Sequence, residues 1–269
     1  MNTLGTTNQP DLATQLANEV YWKEVFATNE PQKEIKLGTR YRTLPGWFPT
    51  KKNRRGQVRT REPLVGDLLI HLDTDPDVKA ISEFAVKVEF RHYRPDGSVT
   101  IEEHIPDIAV IDGKGKVFVI DVTPHHVALS MPWFGCRKAS LERHYGKLGA
   151  KYLALDETTI HLKPLFQNLR LMWKHKRRSH EHEGMERLRQ IVRDHPLPCT
   201  IGALMRSAPK NALVARWSDE PPTSAKHVSQ CNPVFTAVMQ LAMEGEIDVD
   251  LDTRLSADTL VTRRRKNHG

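Results

Sequence analysis

The sequence predicts an α/β protein with a mixed sheet flanked by helices, followed by a smaller α+β domain. Strand patterns between residues 80 and 122 are separated by two short turns, which indicates three consecutive antiparallel strands. Helical and strand patterns then alternate to about residue 178, as is typical of an α/β core. Residues 185–269 hold helical patterns and two short strands.

Composition supports a folded protein with more than one domain. The chain of 269 residues exceeds the usual length of one compact domain, and 39% hydrophobic with 27% charged residues suits a buried core. A net charge of +7 favours polyanionic partners such as DNA. The three cysteines are far apart, which excludes a zinc site of paired cysteines and a disulfide framework.

No apolar run approaches the roughly 20 residues that cross a bilayer, and the first residues lack the basic and apolar regions of a signal peptide. We therefore expect a cytoplasmic protein with no membrane partner.

The elements of the first 72 residues follow from local spacing. Residues 11–29 have the apolar spacing of a helix, with Asp11 as its N-cap. Residues 30–60 carry Gly, Pro and basic residues with little periodicity, which predicts an arm or loop anchored by Trp47 and Phe48. Residues 64–72 are apolar and follow Pro63, a residue suited to the first turn of a helix.

The α/β core comes next. Residues 80–94 alternate between apolar and polar side chains as one half-buried strand, and turns at 95–97 and 112–115 lead into strands over 99–111 and 116–122. A helix over 138–148, a strand over 152–155 and a helix over 161–178 complete this core.

The second domain begins after residues 180–184. Residues 185–194 form a helix, Thr200 can cap a helix over 201–206, and the helix 233–244 stops at Gly245. Residues 246–250 and 260–263 can pair as a hairpin, so this region is compatible with a winged-helix-like domain. The predicted domains are 1–60 (helix and basic arm), 61–180 (α/β core) and 185–269 (winged-helix-like).

The segment 104–123 carries the strongest chemical signal. If residues 113–115 form a three-residue loop, Asp107 faces Asp121 across the hairpin, and Thr123 lies on the same face. Facing carboxylates repel unless a cation or a proton compensates. Mg²⁺ or Mn²⁺ fits, with the Val122 carbonyl as a further oxygen ligand. The alternative is that both acids are solvated residues at the ends of their strands.

A family resemblance favours the metal interpretation. Pro106-Asp107 followed by Asp121-x-Thr123 resembles the PD-(D/E)xK nuclease pattern with its last residue altered. Residues 64–78 and 81–84 are similar in order and spacing to the TnsA family, the endonuclease subunit of heteromeric transposases. The resemblance covers roughly residues 40–165 and implies a restriction-endonuclease-like core. The second half looks like the family's winged-helix domain through looser motifs.

Two residues depart from that family pattern. Thr123 stands where the family has a lysine that stabilises the transition-state phosphate, and Val65 stands where the family has a metal-binding glutamate. Glu62 lies one helical turn before Val65 and could replace that glutamate. Lys138, Arg143 or Lys147 could supply the missing cation.

Two functional hypotheses follow. The first is a metal-dependent endonuclease that nicks transposon ends, with catalytic residues Asp107, Asp121, Glu62 and Thr123. The resemblance implies a DDE-type transposase and an AAA+ ATPase regulator as partners, and the basic cluster Lys51, Lys52, Arg54 and Arg55 would contact DNA phosphates. The second is a cleavage-deficient adaptor that keeps the fold to bridge DNA and partner proteins, which Thr123 and Val65 favour.

Overall fold

The structure is a computed structural model that describes residues 12–35, 44–177, 181, 184–208 and 232–264. The chain divides into two compact units. The first contains the described residues within 1–72 and 77–160, and the second contains those within 73–76 and 161–269.

The first unit holds the elements that precede residue 161, apart from the last two residues of the second helix. In chain order they are α1 (Leu12–Thr28), β1 (Gly46–Pro49), β2 (Gln57–Thr60), α2 (Pro63–Thr74), β3 (Val78–Glu83), β4 (Val88–Tyr93), β5 (Val99–His104), β6 (Ile108–Asp112), β7 (Val117–Val122), α3 (His125–Ser130), α4 (Phe134–Lys147), β8 (Ala150–Leu155) and α5 (Glu157–Ile160).

A four-stranded mixed sheet forms the centre of this unit, in the strand order β3-β6-β7-β8. β6 pairs antiparallel with both β3 and β7, whereas β7 and β8 are parallel. Parallel neighbours need a crossover connection, and α4 lies in the connection between β7 and β8. The predicted α/β core with a mixed sheet flanked by helices is therefore confirmed.

The predicted strands 80–94 and 99–111 are each broken into two, so those predictions were wrong. Phe84 has a positive φ of 47°, which ends β3, and β5 ends before Pro106, which has no N–H to donate to a ladder. β4 and β5 pair with each other as a separate two-stranded sheet. The break is hidden in the sequence because Phe84, Val86, Val88 and Phe90 are all buried across it.

Residues 46–60 form an antiparallel hairpin of β1 and β2, not the predicted irregular arm. Because successive strand residues face opposite sides, Phe48 is buried while the neighbouring Trp47 is 59% exposed. The prediction of both as anchors holds only for Phe48. The Trp47 ring instead lies 5.2 Å from the guanidinium carbon of Arg59, its partner across the hairpin.

The predicted helices are present with shifted bounds. α1 and α2 are close to expectation, and Pro63 is the first residue of α2. The predicted N-cap Asp11 lies outside the described residues. The expected helix 161–178 is shorter, because α6 spans Leu165–Lys174 within the second unit. The three predicted domain ranges stay a prediction.

The second unit contains α6, α7 (Gly184–Asp194), β9 (Cys199–Thr200), α8 (Ile201–Ser207), α9 (Pro233–Met243), β10 (Ile247–Val249) and β11 (Leu260–Arg263). Thr200 caps α8 through a 3.2 Å bond from the Ala203 N–H, as predicted. The predicted hairpin of β10 and β11 is also confirmed, and β9 extends it to three strands in the order β10-β11-β9.

Candidate functional site

The β6–β7 hairpin has the register that the sequence predicts. Ile108 pairs with Ile120 and Ile111 with Val117, so the next pair outward is Asp107 and Asp121. The turn is closed by a 3.0 Å bond from the Asp112 N–H to the Lys116 carbonyl. A three-residue loop over 113–115 therefore brings the two acids to the same end of the hairpin.

The two carboxylates are tied to each other's strand. The Asp107 N–H donates to Asp121 Oδ1 at 3.3 Å, and the Val122 N–H donates to Asp107 Oδ2 at 2.8 Å. Asp107 is buried, with 6% of its surface exposed. The alternative interpretation, in which both acids are solvated residues at the ends of their strands, therefore does not describe this pair.

Asp107 is bound by Arg61, a residue that the sequence analysis did not place in the site. Arg61 lies between β2 and α2, and its Nε and Nη2 donate to the two oxygens of Asp107 at 2.5 and 2.9 Å. Nη2 also donates to the Val122 carbonyl. Such a two-bond arginine–carboxylate pair is among the stronger and more directional contacts in proteins.

Glu62 lies beside this pair at the start of α2. One of its oxygens forms an ion pair with Arg61 Nη1 at 3.0 Å. Burial raises the pKa of the Glu62 carboxyl and the charge of Asp107 raises it further, although Arg61 acts in the opposite direction. Burial lowers the pKa of the Arg61 guanidinium, but hydrogen bonding and attraction to Asp107 outweigh it and the net pKa is raised. Arg61 is therefore a permanent cation of the centre.

Asp121 is held by a separate network of aromatic side chains. His104 Nε2 donates to Asp121 Oδ2 at 2.8 Å, and the Tyr152 hydroxyl donates to the same oxygen at 2.6 Å. Because an ionised carboxylate only accepts, the proton of this contact lies on His104 Nε2, and Nδ1 of the same ring shares a 2.9 Å hydrogen bond with the Tyr145 hydroxyl. The rings of Tyr145 and Tyr152 are stacked, with centroids 5.8 Å apart.

This network keeps Asp121 ionised. Burial alone raises the pKa of the Asp121 carboxyl, but the hydrogen bonds and charge of His104 and the Tyr152 hydroxyl outweigh burial, and the net pKa is lowered. Burial and the nearby charge of Asp121 raise the pKa of both the Tyr145 and the Tyr152 phenol. Both phenols therefore stay protonated and remain available as hydrogen-bond donors.

The arrangement does not fit a metal ion as it stands. Both oxygens of Asp107 and the Val122 carbonyl accept from Arg61, while Asp121 accepts from His104, Tyr152 and a backbone N–H. Within the described parts of the chain, no group of three or more His, Cys, Asp and Glu side chains is arranged to hold a metal. Binding of Mg²⁺ or Mn²⁺ stays a prediction, and it requires Arg61 to leave.

The two residues that depart from the family pattern have different roles in the fold. Val65 is 1% exposed in the core, so its position on α2 contributes packing. The Thr123 N–H continues the pairing with β8 by donating to the Leu155 carbonyl at 2.9 Å. Two of the three cations expected to replace the lysine have partners elsewhere: Arg143 lies 4.9 Å from the Tyr93 ring, and Lys138 is paired with Glu142 at 3.9 Å. The third, Lys147, is exposed near the end of α4.

The predicted DNA-binding cluster lies in the turn between β1 and β2. Lys52 Nζ donates to the Leu72 carbonyl at 2.8 Å, Arg54 donates to the Ala27 carbonyl, and Arg55 pairs with buried Glu83. Lys51 is exposed. Three of the four side chains in this cluster therefore stabilise the turn through contacts with the rest of the protein.

Sequence reasoning missed the residues that hold the acids in place. These residues are Arg61, which contacts Asp107, His104 and Tyr152, which contact Asp121, and Tyr145, which contacts His104. Each contact joins residues 17 to 46 positions apart in the chain. Only the position of Arg61 in the sequence could have indicated its role. Arg61 directly precedes Glu62-Pro63, so it emerges at the end of a strand beside the helix that bears Glu62.

No protein-family model matches this chain, and no curated protein matches it. Across the described residues, no helix is long and apolar enough to cross a membrane.

Proposed function

We propose that this chain is a TnsA-like, DNA-directed subunit of a heteromeric transposition system, and that it acts as an adaptor that does not cleave DNA. The observation that carries this proposal is the engagement of both acids by protein donors. Asp107 is bound by Arg61, and Asp121 is bound by His104 and Tyr152. A hydrolytic centre would need these oxygens for a metal ion and its water.

The uncharged Thr123 supports the same conclusion. Negative charge develops on the phosphate during hydrolysis, and loss of one preorganised donor typically costs on the order of 10²–10³ in rate. Of the three candidate cations, Arg143 lies against the Tyr93 ring and Lys138 pairs with Glu142, which supports a centre without a replacement for the lysine from these two residues.

The fold is compatible with the family resemblance in both units. Helix α2, the antiparallel strands β3, β6 and β7, the crossover helix α4 and the parallel strand β8 agree with a restriction-endonuclease-like core. Among the described residues of the second unit, the order helix, strand, helix, helix, strand, strand from α7 to β11 supports a winged-helix-like domain.

DNA contact is best assigned to the β1–β2 turn. Helix α9 has seven buried residues among its 11, which leaves little of it for reading base edges. Each arginine of the turn has five N–H donors, and the bonds to Ala27 and Glu83 leave others for phosphates. The side chain of Arg55 is 41% exposed despite its ion pair. A braced basic turn can follow phosphates without reading sequence.

The experiment measures DNA binding as a function of salt. Replacing Lys51, Lys52, Arg54 and Arg55 with glutamine should weaken binding to transposon-end DNA. The slope of log K against log salt should fall by about 2–4, since each phosphate contact contributes about 0.9. A matched control replaces four exposed cations elsewhere in the chain, Arg91, Arg94, Lys114 and Lys116. Equal losses in both variants would contradict the assignment.

A second candidate, a metal-dependent nicking endonuclease, is favoured by the position of Glu62 beside Asp107. A cleavage assay on supercoiled DNA with transposon ends, in Mg²⁺ or Mn²⁺ and with the DDE-type transposase and AAA+ ATPase added, separates the two. The adaptor proposal expects no nicking above that of an Asp107→Ala, Asp121→Ala double variant. Nicking that depends on both acids would overturn it in favour of the nuclease.

A further inference from the structure

Two of the three guanidinium nitrogens of Arg61 donate hydrogen bonds, and the third lies 3.0 Å from Glu62 Oε1 as an ion pair without a hydrogen bond. Nε and Nη2 donate to the two oxygens of Asp107, Nη2 also donates to the Val122 carbonyl, and Nη1 pairs with Glu62. The side chain is 27% exposed. A half-buried cation with this many oxygen partners is a built centre, not a solvated surface charge.

These acceptors coincide with the expected ligands of a metal ion. The Asp107 carboxylate, the Val122 carbonyl and Glu62 are three of the four groups from which the sequence predicts a Mg²⁺ site. Hard divalent cations prefer such oxygen ligands. The Arg61 guanidinium and these oxygens therefore lie at the place where the resemblance implies a metal ion.

We infer that Arg61 is a resident cation that takes the place of the divalent metal ion in the Asp107–Asp121 centre. The guanidinium neutralises buried Asp107 and joins the end of β2 to the β6–β7 hairpin. A buried carboxylate without a partner destabilises the folded protein, so removal of Arg61 should favour binding of another cation at Asp107. The same replacement accounts for two observations: the acids are bound by protein groups, and the lysine that would act with a metal ion is absent.

The position of Arg61 in the chain explains why its side chain reaches Asp107. Val58 and Thr60 of β2 are buried on one face of the strand, so Arg59 and Arg61 lie on the other face. Pro63 then begins α2, which leaves Arg61 in the short connection beside the hairpin. Arg59 makes a different contact, to the Ile35 carbonyl at 2.6 Å, and serves as a matched control.

The test measures binding of Mn²⁺ to the full chain by electron paramagnetic resonance and calorimetry, without DNA. The wild type should take up no Mn²⁺ that depends on Asp107. Arg61→Met keeps an apolar stem without the charge, and it should bind one Mn²⁺ at least about tenfold more tightly than the wild type. The double variant Arg61→Met, Asp107→Asn should lose that ion, and Arg59→Met should behave as the wild type.

Several outcomes decide the matter. Mn²⁺ binding by the wild type that Asp107→Asn abolishes would show that the ion and Arg61 are not alternatives, and would overturn the inference. Arg61→Met that folds and binds no more Mn²⁺ than the wild type would also overturn it. If Arg61→Met folds only with Mn²⁺ present, the replacement is supported.

A further variant covers a failure of Arg61→Met to fold under any condition. Arg61→Lys retains the positive charge, so it should fold and continue to exclude Mn²⁺; uptake of the ion by this variant would refute the inference. The inference rests on the proposed function only for the identity of the missing ion. The metal-binding experiment contains no DNA, so its failure would not contradict the DNA-binding proposal. That proposal is tested separately by the salt dependence of DNA binding.

Discussion

Replacement of Asp121 by asparagine tests the network that holds the acid pair. Oδ2 of Asp121 accepts from His104 Nε2 at 2.8 Å and from the Tyr152 hydroxyl at 2.6 Å, while Oδ1 accepts from the Asp107 N–H at 3.3 Å. All three partners are donors. Asparagine has one acceptor oxygen and one amide that only donates, so neither orientation of the side chain satisfies every partner.

The cost follows from these contacts. With its oxygen toward His104 and Tyr152, the asparagine amide faces the Asp107 N–H; with the opposite orientation, it faces the two side-chain donors. Each hydrogen bond to a charged group contributes about 1.5–3 kcal/mol, and an unsatisfied buried donor costs about 1–3 kcal/mol. Rotation of the Tyr152 hydroxyl relieves part of this conflict. We expect Asp121→Asn to lower the free energy of unfolding by about 3 kcal/mol.

The pH dependence gives a second signature. The pKa of Asp121 is lower in the folded protein than its ordinary value of 3.8. A carboxyl with a lowered folded pKa stabilises the protein above its unfolded pKa, and this contribution is lost as the pH falls through the folded pKa. Asparagine does not titrate. The contribution of the Asp121 carboxyl to the difference between wild type and variant should therefore be present above about pH 3.8 and shrink below it.

Urea unfolding followed by tryptophan fluorescence measures the difference. With a slope of about 2 kcal/mol per molar urea, the unfolding midpoint should fall by about 1–2 M. The control is Asp96→Asn, which removes an exposed carboxylate in the β4–β5 turn and should change stability by less than about 0.5 kcal/mol. An equally small effect at Asp121, or a difference that does not shrink below about pH 3.8, would refute the reasoning.

Two further predictions concern the second unit. The Arg189 side chain is 2% exposed and pairs with two glutamates, so Arg189→Met should destabilise by about 3 kcal/mol, measured by urea unfolding. Arg193→Met, at a side chain that is 28% exposed, should cost less than about 1 kcal/mol, and equal costs would contradict the argument. Gly245 has a φ of 76°, and an added Cβ would lie 3.0 Å from Pro76 Cβ, so Gly245→Ala should cost about 1–2 kcal/mol in thermal unfolding. Gly135→Ala, within α4 and with open space around it, should stabilise by up to about 1 kcal/mol; destabilisation of similar size at both glycines would be inconsistent with a conformational cause.

Local rules explain what could be predicted from the sequence. The β6–β7 register follows from the length of one tight turn, because side chains alternate along each strand and the turn sets which residues face each other. Pro63 at the start of α2, Thr200 as the cap of α8 and the β10–β11 hairpin follow from equally short spacings. Each of these features depends on residues close together in the chain.

The breaks in the strands could not be predicted in this way. Buried residues continue on both sides of Phe84, so the alternation that identifies a strand does not register the change of direction at its positive φ. The hairpin β1–β2 was hidden for a related reason, since Gly, Pro and basic residues dominate its turn. Packing decides that Phe48 is buried and Trp47 exposed.

By itself, the sequence determined that Asp107 and Asp121 meet, because a single turn links them. Only the tertiary structure decided what neutralises them. Arg61 reaches Asp107 across 46 residues, and His104 and Tyr152 reach Asp121 from two other strands. These contacts depend on how the strands and helices pack, and no periodicity in the chain encodes the distance between them. Spacing along the chain specifies the pair of negative charges, whereas packing in three dimensions brings Arg61 to Asp107 and brings His104 and Tyr152 to Asp121.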